Sequence, residues 1–177
     1  FDRAVRRGAF VTPADDLAAA LYETTQSALS SLGFEAYEVS NHARGRAARS
    51  RHNLIYWRGQ DYVGVGPGAH GRLTFDGQRH ATEAPRAIAA YIARVETVGI
   101  GAKPERLAPR ERALERLLMG LRTIEGVDRS DLEPLGIAPG RFDDLDGLVS
   151  LTEGRLVATA RGRPVLDRIV AELADAA

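Results

Sequence analysis

No cysteine occurs among the 177 residues. That absence removes disulfides, thiolate zinc sites and any iron–sulfur cluster held by this chain's own sulfur ligands, and it fits a reducing compartment. Net charge is missing too. Twenty-four Lys and Arg balance 24 Asp and Glu, so no global field draws the chain to nucleic acid or an anionic membrane, and any such binding has to be local. No apolar run approaches the ~20 residues that a membrane-spanning helix needs, no signal peptide is visible, and no internal repeat is evident. No methionine precedes Phe1, from which the sequence is expected to start inside a larger protein. What is present is ordinary for a folded domain: 44% hydrophobic and 27% charged residues, enough for one sizeable core or two small ones.

The first half reads as alternating helices and strands. Thr12-Pro13-Ala14-Asp15-Asp16 puts a hydroxyl at the N-cap, proline at the first helical position and acids in the first turn. The pattern predicts a helix to about Leu32, with Leu17, Leu21, Ala28 and Leu32 as a buried stripe and Gly33 as the stop. "FEAYEVSN" alternates and is rich in strand formers, so a strand is expected to end near Ser40-Asn41. Helix, glycine and strand in succession form the αβ half of a parallel unit, whose strand ends face ligands. Ser40, Asn41 and His42 are expected there. "ARGRAARSR" reads as a basic, solvated loop, "DYVGVG" as a second strand, and "GRLTFDGQRHAT" as a hairpin turning at Asp76-Gly77. Residues 84–98 predict a helix with Ile88, Tyr91, Ile92 and Val95 on one face. Gly and Pro density in "GIGAKPERLAP" then places a domain boundary near residue 103.

The second half differs in kind. A helix over 110–122 is expected to bury Leu114, Leu117, Leu118 and Leu121. Shorter helices are expected near 129–135 and 139–147, then a hairpin of 148–151 and 155–158 turning at Glu153-Gly154, then a last helix after Thr159. Helices followed by a β-hairpin predict a winged-helix-like module. Its helix "GRFDDLDGL" carries Asp143, Asp144 and Asp146 against the single Arg141, an acidic surface that repels nucleic acid.

Two motifs invite chemistry. Gly66-Pro67-Gly68-Ala69-His70-Gly71 matches the dinucleotide fingerprint G-x-G-x-x-G, but that fingerprint must open a helix, and a hairpin pattern follows here. A turn in which backbone passes close to a neighbour is expected instead. The four histidines, at 42, 52, 70 and 80, match no zinc spacing. His52 differs from the rest in its company: in "HNLIYW" helical spacing would pair His52 with Tyr56, and Asn53 with Trp57. That puts an imidazole, the common protein ligand of haem iron, beside aromatic planes. Taken by themselves the residues favour packing by Tyr56 and Trp57, with His52-Asn53 fixing a loop.

"YEVSNHAR" followed by "SRHNLIYWRGQDYVGVGPGAHGR" closely resembles the carboxy-terminal half of HemW-type haem chaperones, radical SAM proteins related to oxygen-independent coproporphyrinogen III dehydrogenase. The departures are conservative: Val39 stands for isoleucine and His42 for phenylalanine. "ERLLMGLRTIEGVD" and "GLVSLTEGRLVATARGRPVLDRIVAEL" resemble the accessory domain of the same family, so the likeness covers essentially the whole chain. It implies the α/β end of a partial (β/α) radical SAM barrel over 1–103 and a mainly helical, winged-helix-like accessory domain over 104–177. By resemblance, the H-N-x-x-Y-W motif makes His52 a candidate ligand of haem iron, with Asn53, Tyr56 and Trp57 shaping the site. Ala43 matches a backbone position near S-adenosylmethionine.

The cysteine motif for the 4Fe-4S cluster is expected upstream of Phe1, which would leave this chain without the cluster and without radical chemistry of its own. The implied function is haem binding and delivery to acceptor proteins, including acceptors at a membrane, by a cytoplasmic or peripherally membrane-associated protein. Two alternatives stay open: a radical SAM coproporphyrinogen III dehydrogenase, and a winged-helix nucleic-acid-binding module, the latter opposed by the acidic helix. A barrel portion without its neighbouring strands would expose a sheet edge, so the chain is expected to dimerise or aggregate through it.

Overall fold

A computed structural model describes residues 2–138 and 140–175. The chain divides into two compact units, one running to Arg49 and the other beginning at Ser50. The boundary expected near 103 falls inside a strand that is hydrogen-bonded to the one before it.

The first unit holds helices α1 (Asp2–Arg6) and α2 (Asp15–Ser31) and strands β1 (Glu35–Glu38) and β2 (Asn41–Ala43). α2 starts later than the capping pattern predicts, since Ala14 and not Thr12 is its N-cap, and no side chain caps it. The expected stripe is not buried. Leu17, Leu21 and Leu32 are each more than half exposed, because a helical period marks an apolar face without supplying a surface to cover it. The strand over 34–41 is also corrected. β1 stops at Glu38, the chain turns through Val39-Ser40, and β2 returns antiparallel, with Ala36 opposite His42 and Glu35 opposite Ala43. Ser40, Asn41 and His42 therefore lie in a turn and its return strand, not at the end of a parallel strand.

The cause of that turn is local. The fully buried Glu38 accepts on Oε2 from the Ser40 amide (2.9 Å), the Ser40 hydroxyl (3.2 Å) and Asn41 Nδ2 (2.7 Å), side-chain bonds that compete with a continuing strand. The basic loop that follows is likewise not fully solvated. Arg44 lies over the Phe34 ring at 4.6 Å and donates to the Leu32 carbonyl, and the mostly buried Arg49 lies over Tyr37 at 5.4 Å.

The second unit opens with α3 (Arg51–Trp57). The sheet β3 (His70–Phe75), β4 (Gln78–Glu83), β5 (Lys103–Arg106) is antiparallel in that order, with α4 (Ile88–Val98) between β4 and β5. The hairpin turn falls at Asp76-Gly77 as expected, both with positive φ, 49° and 72°, as a type I′ turn requires. "DYVGVG" is not a strand; only Tyr62 pairs, by an isolated bridge to Arg72. α4 buries no side chain. Of its expected face, Ile88, Ile92 and Val95 are exposed, while the Tyr91 ring lies against Gly101, where an added Cβ would sit only 2.2 Å from Tyr91 Cε2.

The core belongs to the last third. α5 (Pro109–Gly120) starts with proline at its first turn, and the Glu111 carboxylate accepts the Ala108 amide at 2.7 Å. Its buried stripe is Ala113, Leu117, Gly120 and, just beyond, Leu121; Leu118 points outward at 45% exposure, one position off the expected stripe. β6 (Val127–Asp128), a 3-10 turn over Arg129–Leu135, α6 (Gly140–Asp143), β7 (Val149–Thr152), β8 (Arg155–Ala158) and α7 (Leu166–Asp175) complete the unit, with sheet order β6-β8-β7. Pro139, where the second short helix was expected to begin, lies outside the described residues, and the helix itself is only one turn long. Leu117, Leu121, Val127, Leu156, Ile169 and Leu173 are all buried to within 1%, each contributing about 1.5–3 kcal/mol of burial. The acids Asp143, Asp144 and Asp146 sit at the end of α6 and just after it; Arg141 pairs with Asp144 and Arg161 with Asp146.

Candidate functional site

The "HNLIYW" segment is a helix because Ser50 caps it. The Ser50 side chain accepts the Asn53 amide at 3.3 Å, satisfying one of the orphan donors of the first turn. Helical spacing then brings His52 and Tyr56 together as expected: their rings meet edge to face, 4.9 Å apart and 83° inclined. Tyr56 in turn meets Tyr62 at 4.5 Å and 78°. Tyr62 belongs to the site although its sequence context did not single it out. Leu54 is the buried residue of α3, Asn53, Tyr56 and Trp57 are half-buried, and His52 stands exposed.

The far end of α3 is pinned by charge. Arg116 of α5 donates Nη1 to the Trp57 carbonyl (3.1 Å) and Nε to Asp131 (3.0 Å). Arg58 forks onto Glu125 with contacts of 2.8 and 2.5 Å, and that hydrogen-bonded carboxylate raises the guanidinium above its ordinary pKa against the opposing effect of burial. The helix is thus a short platform capped at its start and pinned at its end, with His52 exposed in its first turn.

The glycine segment supports that platform. Tyr62 exchanges both backbone hydrogen bonds with Arg72 (2.8 and 2.9 Å). A Cβ on Gly71 would lie 2.4 Å from Thr82 Oγ1 and 3.0 Å from the Tyr62 carbonyl, and one on Gly64 would lie 2.2 Å from the His70 carbonyl. Close backbone approach is what this stretch is built for, and β3, not a helix, follows it. A dinucleotide loop would need that helix. Arg72 extends the support to α5 through a forked pair with Glu115, Nη2 to Oε1 at 2.5 Å.

The histidines differ in what holds them. His42 Nε2 is 2.9 Å from Gln26 Oε1, His80 Nδ1 is 3.1 Å from the Gln78 carbonyl, and His70 Nε2 is 4.0 Å from Glu83. Among the described residues no hydrogen bond or ion pair occupies either ring nitrogen of His52. Ala43 is buried at 4% and sits in β2, opposite Glu35, apart in sequence from α3 and in the other unit. No group of three or more His, Cys, Asp or Glu suited to a metal ion occurs among the described residues.

Sequence comparison gives this geometry a context. The chain is 36% identical over 174 residues to the heme chaperone HemW of Mycobacterium tuberculosis, covering 97% of this chain and 43% of that protein. It is 40% identical over 134 residues to the mitochondrial radical S-adenosyl methionine domain-containing protein 1 of Danio rerio, 73% of this chain and 30% of that protein. This chain is a relative of the HemW-type radical SAM proteins. No protein-family model matches it, and it spans less than half the length of these relatives. Among solved structures, the radical SAM coproporphyrinogen III oxidase HemN of Escherichia coli superposes with a TM-score of 0.60 over 91% of this chain and 42% of that one, at 17% identity. The mixed helix-and-sheet fold is therefore shared with that enzyme.

Proposed function

We propose that the chain is the haem-holding portion of a HemW-type haem chaperone, in which His52 would ligate the iron and Asn53, Tyr56 and Trp57 would shape the contact. The observation that carries this reading is the state of His52: exposed on a capped helix, ring to ring with Tyr56 at 4.9 Å, and alone among the four histidines in having both nitrogens free of a partner among the described residues. Similarity to proteins named heme chaperone adds to it. Histidines that hold a metal permanently donate their second nitrogen to a carboxylate or carbonyl, which orients the ring and tightens binding by about 10–100-fold. His52 lacks that restraint, as suits a protein that gives its haem to an acceptor.

The remaining assignments follow from the same relationship. Residues 1–103 stand for the end of a radical SAM barrel and 104–177 for an accessory domain. The order α5, β6, two short helical turns, then β7-β8 with β8 in the middle of the sheet supports reading that accessory domain as winged-helix-like, and the acids on and after α6 favour a protein surface over nucleic acid as its neighbour. The Ala43 backbone is the proposed contact to S-adenosylmethionine. The donor set here does not fit a 4Fe-4S cluster, which takes thiolates, since the chain has no cysteine; no chemical step of these residues runs through it. No described helix is long and apolar enough to cross a membrane; a cytoplasmic or peripheral location is proposed from the relationship alone.

Hemin titration followed at the Soret band tests the assignment. His52→Ala is expected to weaken binding at least tenfold and shift the band, while His42→Ala and His80→Ala leave both unchanged. Identical spectra and affinities for wild type and His52→Ala would overturn it.

A further inference from the structure

With 7 residues, α3 is too short to hold its own direction, since isolated helices below about 12–15 residues are marginal in water. What orients it lies at its ends. The last four carbonyls of a helix have no partner within it. Backbone amides of the following turn take three of them here: Arg58 donates to Leu54, Gln60 to Ile55 and Gly59 to Tyr56, each at 2.9 Å. The Trp57 carbonyl instead accepts from a side chain, Nη1 of Arg116, at 3.1 Å, and a cation is the favoured donor at that end of a helix.

The turn is shaped to admit that side chain. Gly59 has a φ of 64°, and a Cβ there would stand 2.8 Å from Arg116 Cδ and 3.0 Å from Nη1, so the arginine crosses a stretch of backbone that only glycine leaves open. Arg116 is aimed from its other edge as well. Its Nε donates to Asp131 at 3.0 Å, and both side chains are largely buried. The helix that carries it is anchored, because Ala113, Leu117 and Gly120 of α5 lie in the core. Arg58 grips Glu125 from the same end of α3, but it is the more exposed of the two arginines, and solvent screens its pair more. We propose that Arg116 is a positioning residue for the haem contact: by tying the end of α3 to the packed centre of the unit it sets the direction of the helix, and with it the place that the His52 imidazole offers to the iron. This role rests on His52 as the proposed ligand and adds that the imidazole is placed from the opposite end of its helix, by α5.

A double-mutant cycle on hemin affinity, read at the Soret band, forms the test. Wild type, Arg116→Gln, His52→Ala and the double variant are titrated in turn. Arg116→Gln is expected to weaken hemin binding about tenfold, the loss of a charge-assisted hydrogen bond. In the His52→Ala background the same substitution should cost no more than about twofold, because an arginine that acts through His52 has nothing left to place. An arginine with a merely structural role would cost the same factor in both backgrounds; that result, or wild-type affinity in Arg116→Gln, would overturn the proposal. Asp131→Asn keeps the test open if Arg116→Gln fails to fold. It leaves an oxygen to accept from Nε but removes the charge that aims the guanidinium, and about a threefold loss is expected with His52 present and none without it, equal losses or no loss with His52 present again overturning the role. The two readings fail in different ways: if His52→Ala binds hemin like wild type, the ligand assignment falls and this role with it, whereas if His52→Ala loses affinity and Arg116→Gln does not, only the positioning role falls.

Discussion

Substituting Gly71 by alanine probes the contact that joins the glycine segment to the aromatic platform. Gly71 is buried in β3, opposite Thr82, and its added methyl would stand 2.4 Å from Thr82 Oγ1 and 3.0 Å from both the Gly64 nitrogen and the Tyr62 carbonyl. Two of those three are backbone atoms that cannot rotate away. Relief requires residues 62–64 to move off β3, which breaks the two Tyr62–Arg72 hydrogen bonds, about 0.5–1.5 kcal/mol each, and loosens the Tyr56–Tyr62 ring contact, about 0.5–1.5 kcal/mol. The expected destabilisation is about 2–4 kcal/mol, a large share of the roughly 5–15 kcal/mol of a typical domain. Urea unfolding followed by tryptophan fluorescence measures it, since Trp57 is the single tryptophan. Adding Thr82→Ala to Gly71→Ala should recover part of the loss, because the shortest contact is to that hydroxyl. A cost for Gly71→Ala below about 1 kcal/mol, or no recovery in the double variant, would refute the reasoning.

Other expectations follow from burial and charge. Leu117→Ala should cost about 2–5 kcal/mol by opening a cavity in the core, whereas Leu118→Ala, one residue on and 45% exposed, should stay within about 0.5 kcal/mol; the urea midpoints of the pair check which leucine faces inward. Asp61 should contribute to acid stability. Burial pushes its carboxyl up, but the hydroxyl and amide of Thr74 and the Arg79 guanidinium together hold it below the ordinary value. A depressed carboxyl stabilises above the unfolded pKa, near about 4, and that stability is lost as pH falls through the folded value. With the Asp61 side chain 43% exposed, solvent screening keeps the effect below about 1 kcal/mol. Stability measured from pH 6 down to 2 should fall more steeply for wild type than for Asp61→Asn, and parallel curves would contradict the assignment.

What was legible in the sequence were features decided by neighbouring residues. Asp76-Gly77 turns a hairpin because a positive φ is needed at both positions and these residues tolerate it, the angles being 49° and 72°; at Glu153-Gly154 (51° and 76°) it was the glycine that signalled the turn. α5 was expected from its leucine period, whereas the Ser50 cap that starts α3 lay in a stretch expected to be a solvated loop. What was not legible depends on partners distant in the chain. Leu17, Leu21, Ile88 and Ile92 mark apolar faces, yet periodicity carries no information on whether anything covers them. "YEVSN" has strand-forming residues, but the buried Glu38 gathers three donors and reverses the chain at Ser40. Trp57's pinning by Arg116 and Tyr62's place beside Tyr56 arise from contacts across 59 and six residues; for Tyr62 the one clue was an aromatic just before the glycine run. At the candidate site, the pairing of His52 with Tyr56 was legible from helical spacing, whereas the freedom of both His52 nitrogens was not.

His52 is the proposed ligand of haem iron. Resonance Raman spectroscopy of the ferrous haem complex, prepared with natural and with 15N-labelled histidine, tests it most directly. An isotope-sensitive iron–nitrogen band is expected in wild type, persisting in the His42, His70 and His80 alanine variants and disappearing in His52→Ala. Retention of that band in His52→Ala, or its absence from wild type, would rule out His52 as the iron ligand.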